Sequence, residues 1–168
     1  MIKDKDLREK SRIRYCDGES ITLAAIQSSL SKLAAENGIK IAFCNEQVKS
    51  GTVFNRDAEE CLVVYHPEHR NDYICTVIRV KHQGIHAFLC VDETGESKMA
   101  VKVYAATDGR KDARAERKGM TMSERVGHAI GSSISLGIAG IGANTKKFEE
   151  EQTWYVILED IIAELFGE

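Results

Sequence analysis

The five cysteines, Cys16, Cys44, Cys61, Cys75 and Cys90, are odd in number and include no C-x-x-C pair. A fully paired disulfide framework is excluded, and a reducing, cytoplasmic setting fits better than a secreted one. Cys61, Cys75 and Cys90 sit inside apolar runs and read as small core side chains. Met1-Ile2-Lys3-Asp4 begins no apolar h-region, so no signal peptide is expected. An excess of charge of one sign is also missing. The net charge is −3 and the pI near 6.0, so no global field would draw the protein onto nucleic acid, and no nucleic-acid partner is expected. Proline occurs once, at Pro67, and there is no low-complexity block apart from one glycine-rich stretch.

What is present is an ordinary globular balance, 43% hydrophobic and 29% charged. The 168 residues fit a single domain, 1–168, which needs neither disulfide nor metal to hold together. Charge is nevertheless uneven. Glu149 to Glu168 contains no Lys or Arg, while Arg8, Lys10, Arg12 and Arg14 form a basic group read as a solvated face.

Residues 1–19 are highly charged with few apolar positions, and read as a short helix or loose N-terminal arm. Ser20 is placed to cap a helix over 21–37, where Leu23, Ile26, Leu30, Leu33 and Ala34 recur at helical spacing and Asn37-Gly38 ends the run. Strands are expected at 39–44, 61–66, 72–82 and 85–92, with 45–60 mostly loop. Cys61 to Tyr65 is apolar on both parities, the mark of a strand covered on both faces. The last two strands read as a hairpin. With Gln83-Gly84 as its loop, His82 would pair with Ile85, Val80 with Ala87 and Ile78 with Leu89. One face would then carry Ile74, Ile78, Val80, Ile85, Ala87, Leu89 and Val91. The other would be mixed, with Tyr73, Arg79, Lys81, His86, Phe88 and Asp92. Helices are expected at 98–106, 122–136 and 147–166, although 98–106 and 153–158 also have strand propensity. The fold class read from this pattern is α+β: an antiparallel sheet of about four strands packed by an N-terminal helix and C-terminal helices.

Val126 to Ala143 has five glycines and no Lys, Arg, Asp or Glu. Gly127 and Gly131 are four apart, which opens a helix to close approach by another backbone. Each interior glycine costs a helix about 1 kcal/mol relative to alanine, so an offsetting contact is expected. Gly127, Ile130, Gly131 and Ile134 are therefore candidate partner-binding residues. The stretch is not G-x-G-x-x-G and lacks G-K-[ST], which sets phosphate binding aside. It is also short of the roughly 20 strongly apolar residues that cross a bilayer, so a membrane partner is not expected.

His66-Pro67-Glu68-His69 and His82-Gln83-Gly84-Ile85-His86 together resemble a set of metal ligands. The hairpin parity puts His82 and His86 on opposite faces, which leaves His66 and His69 as a two-ligand candidate only. Cys44 enters a polar loop and is a candidate nucleophile if His66 or His86 activates it. No cofactor is expected. Three functions follow as expectations. The first is a non-enzymatic domain that binds itself or another protein through 122–136 and the acidic C-terminal helix. The second is a small enzyme or ligand-binding domain on the mixed face, with Tyr73, Arg79 and His86. The third is peripheral membrane association through 126–143.

Overall fold

The computed structural model describes residues 1–15, 21–50, 57–98 and 142–166. In chain order its elements are β1 (Ile2–Lys3), a 3-10 turn (Asp4–Asp6), β2 (Arg8–Tyr15) and α1 (Leu23–Glu36). Four long strands follow: β3 (Ala42–Ser50), β4 (Asp57–Tyr65), β5 (Cys75–Gln83) and β6 (His86–Thr94). The last described element is the helix α2 (Gly142–Phe166).

The expected architecture is corrected. Among the described residues the sheet has six strands in the order β1-β3-β4-β5-β6-β2, and it is mixed because β1 runs parallel to β3. Among the described residues one helix precedes the four-stranded meander and one follows it. The expected helices 98–106, apart from Lys98, and 122–136 lie outside the described residues.

Ile2–Lys3 and Arg8–Tyr15, within the expected N-terminal arm, are instead strands of the sheet. The charge of the arm suits it to that place, because Arg8–Tyr15 is an edge strand with only one side to pair. The expected strand 39–44 begins later and runs on through polar residues to Ser50, for the same reason. Its partner β4 begins at Asp57, so part of the expected loop 45–60 is a strand pair, Ala42↔Tyr65 to Ser50↔Asp57.

The hairpin loop is Gly84-Ile85, so Gln83 pairs with His86, His82 with Ala87, Val80 with Leu89 and Ile78 with Val91. Gly84 has φ +61 and, among the described residues, no non-glycine residue has positive φ, the pattern of a turn with glycine first. The pairing differs from the expected one by two residues. Since side chains alternate with period two, the division between faces survives the shift. Ile85 leaves the apolar wall and is 61% exposed at the turn.

β1 and β2 lie at opposite edges of the sheet, yet are adjacent in sequence. In a flat sheet the five inter-strand gaps between them would span roughly 24 Å. The chain from Lys3 to Arg8 reaches at most roughly 18 Å. The sheet must therefore curl, and it forms a half-barrel with residues 4–7 as a strap across its mouth. The strap crosses the face that carries Val48, Cys61, Val63 and Val77, against which Ile2 and Leu7 pack.

The opposite face carries Leu62, Val64, Ile78, Leu89 and Val91 and is covered by both helices. Ile26, Leu30 and Ala34 come from α1, and Trp154, Tyr155, Leu158, Ile161 and Ile162 from α2. Burying each large side chain here stabilises the fold by about 1.5–3 kcal/mol. Residues 153–158 are helical: their i, i+3, i+4 stripe meets this core, and that outweighs the strand propensity of Thr153-Trp154-Tyr155-Val156. The cap of α1 is Thr22 rather than Ser20. Its side chain accepts from the Ala25 N–H at 3.2 Å, and Gly38 at φ +69 follows the C-cap Asn37.

Candidate functional site

The residues expected to share a ligand face are separated. Arg79 lies in the concave face under the strap and is 7% exposed. Its Nε donates to Asp92 Oδ2 at 2.9 Å and its Nη2 lies 2.7 Å from the same oxygen, while its Nη1 lies 3.2 Å from Glu59 Oε2 and 3.4 Å from Asp4 Oδ1. Lys81 adds an ion pair with Glu59 at 3.1 Å. Burial opposes the guanidinium charge, but Asp92 and Glu59 outweigh it and raise its pKa. Burial also lifts the Asp92 carboxyl above its ordinary value, against the pull of Arg79. The strap thus docks onto the barrel through charge as well as through Ile2 and Leu7.

Tyr73 is on the other side of the sheet. It stacks on His69 with centroids 4.6 Å apart and lies 5.4 Å from the His66 ring and 5.9 Å from that of Trp154. Burial pushes its hydroxyl up to about 12. His66 and His69 do meet, with ring centroids 4.8 Å apart, but within this aromatic cluster. Burial, then His69, lowers the His66 pKa. Among the described residues no three His, Cys, Asp or Glu side chains are grouped to hold a metal ion. His86 stands at the hairpin end, paired with Gln83, apart from both groups.

Cys44 projects to the concave side beside Arg70 and Glu46 rather than a histidine. Arg70 Nη2 is 3.3 Å from its sulfur, and Glu46 Oε1 is 3.7 Å away. Burial raises the thiol pKa despite the guanidinium. This is the reverse of what an activated nucleophile needs. Gly127, Ile130, Gly131 and Ile134 lie outside the described residues.

No family model, curated protein or solved structure matches the chain. Its functional reading rests on its own geometry.

The two sheet edges differ sharply. The β2 edge carries Arg8, Glu9, Lys10 and Arg12 and has a register break between Glu9 and Ser11. Charges and bulges of this kind discourage pairing with another strand. The β3 edge is occupied by β1 at Val48 and Lys49 only. Over Ala42 to Gln47 no strand lies on its outer side among the described residues. This stretch has one charged residue, Glu46, and no Lys, Pro or register break. Phe43, on the helix side of the sheet, also lines a groove of about 330 Å³ with Ile39, Ile41, Pro67 and the α1 residues Ser31, Ala34 and Ala35. Lys40 stands at this groove, its ammonium 2.9 Å from Glu68 and its carbonyl accepting from Trp154 Nε1 at 2.9 Å.

Sequence reasoning missed the β3 edge because Asn45-Glu46-Gln47 carries no apolar alternation. It also missed Glu151, which is fully buried. A signal for Glu151 was present: it falls on the inward stripe Phe148, Glu151, Tyr155, Leu158, Ile162 of α2.

Proposed function

We propose that this chain is a protein-interaction domain, not an enzyme, and that its partner adds an extended segment to the β3 edge. The carrying observation is the stretch Ala42–Gln47, whose outer side carries no strand among the described residues, beside an apolar groove. An added strand gains affinity from main-chain hydrogen bonds, and alternate side chains find specificity in neighbouring pockets. β1 already uses this edge in the same way over two residues, so the partner's segment would continue an existing pairing. The groove beside Phe43 fits one apolar side chain of such a segment. A binding role is favoured over a catalytic one because Cys44, His66 and His86 stand apart, and because the Cys44 thiol is held protonated. Cys44, Cys61, Cys75 and Cys90 are free thiols, which suits a reducing, cytoplasmic setting. Among the described residues no helix is long and apolar enough to cross a membrane.

A displayed library of random 12-residue peptides tests this. Selected peptides should alternate apolar residues, and should shift the amide resonances of residues 42–47 and of Ser31, Ala34 and Ala35. Lysines at the exposed positions, in the Asn45→Lys/Gln47→Lys variant, should weaken binding about tenfold and leave the fold intact. Failure to select any peptide, shifts confined to other surfaces, or concentration-dependent pairing of β3 with a second copy would each contradict the proposal.

A further inference from the structure

The side chain of Glu151 is the most deeply buried carboxyl on α2, with no measurable exposure. Its Oε2 accepts from Ser97 Oγ at 2.9 Å. Its Oε1 has no hydrogen-bond partner among the described residues, and neither does Nε2 of the adjacent, buried Gln152. Among the described residues, the groups that act on it are acidic or neutral. Asp72 and Tyr73 face it from the β4–β5 connection, Ser97 from the segment after β6, and Tyr155 from its own helix. Cys75 of β5 and Glu93 of β6 lie near Tyr155, and Glu150 of α2 near Tyr73. Lys98, the residue after Ser97, is exposed and pairs with Asp72 at 2.7 Å. Tyr155 is anchored through its hydroxyl to the Ile74 carbonyl at 2.6 Å, so it does not serve as donor to Glu151. A carboxylate here would be buried with a single neutral hydrogen bond, whereas a carboxylic acid is tolerated.

We propose that Glu151 is a proton-operated latch that holds the first half of α2 against the sheet while it is protonated and loosens it when it ionises. The latch is independent of the β3 edge. Burial is the main cause that pushes this carboxyl up to about 7; the Ser97 hydrogen bond works against it and Asp72 adds to it. The folded value therefore lies above the unfolded one of 4.5. Its stabilising contribution is complete below the unfolded value and is lost as pH rises through the folded value. The latch closes below neutrality and opens above it.

Trp154, the one tryptophan of the chain, lies three residues on and reports the change locally. Its fluorescence should show a transition with a midpoint near 7, absent in Glu151→Gln. His66, whose ring centroid is 5.4 Å from that of Trp154, could also quench it on protonation. The transition should therefore persist in His66→Gln. In urea unfolding, the ratio of wild-type to Glu151→Gln unfolding constants should grow roughly fiftyfold to a hundredfold from pH 5 to pH 8. A transition that survives Glu151→Gln, one that disappears in His66→Gln, or a pH-independent ratio would overturn the proposal. So would a ¹³C-labelled wild-type protein in which every glutamate carboxyl titrates near or below its ordinary value.

Discussion

Replacing Arg79 with methionine should destabilise the protein by about 3–5 kcal/mol, more than any other single change to a charged residue described above. Arg79 and Asp92 are 7% and 2% exposed, and the guanidinium gives Asp92 a hydrogen bond and a close ion pair. Methionine replaces the aliphatic stem but leaves Asp92 as a buried charge without its partner. It also releases Asp4, and with it one hold of the strap on the barrel. Glu59 is less affected because Lys81 still pairs with it. The companion experiment is the double variant Arg79→Met/Asp92→Leu. Removing both charges abolishes the desolvation cost, and buried pairs replaced by apolar residues of similar volume are often neutral or better. The double variant should therefore recover most of the loss, as measured by urea unfolding at pH 7. Equal destabilisation in the single and double variants would show that the pair itself, and not the stranded carboxylate, sets the cost.

Leu158→Ala should cost about 2–5 kcal/mol, in the upper part of that range if the site cannot collapse around the smaller residue. Leu158 is buried in the central part of α2, in the core shared with α1 and the sheet. The neighbouring Val156 is 49% exposed on the same helix, and Val156→Ala should change stability by less than about 1 kcal/mol. Thermal or urea unfolding of the two variants separates a packed C-terminal helix from one that only rests on the surface. Similar effects at both positions would contradict the packing described.

The parts of the fold legible in the sequence are those in which one side chain pattern dominates. Helix α1 could be read from Ile26, Leu30 and Ala34, and the central strands from β-branched runs. The double-sided burial of Cys61, Leu62, Val63 and Val64 followed from their unbroken apolar character. The division of the hairpin faces survived a wrong choice of loop because the error was two residues, an even number. The edges were not legible. Arg8–Tyr15 and Asn45–Ser50 pair on one side or only in part, so polar residues cost them little and they resemble loops. The curl was hidden for the same reason, since it depends on the pairing of both edges. Tyr73 and Arg79 were assigned to one face by parity, but Tyr73 precedes β5 and turns into the aromatic cluster on the helix side. The buried role of Glu151 was legible in principle from its place on an apolar stripe.

Amide hydrogen exchange along β3 in the free protein, at high dilution, tests the central functional claim most directly. In an antiparallel pair alternate amides point away from the partner strand. Those of Ala42–Gln47 that point away from β4 should exchange orders of magnitude faster than the amides bonded to it, and should become protected when a selected peptide binds. Slow exchange throughout 42–47 in the free protein would mean that this edge is already covered, and would contradict the account.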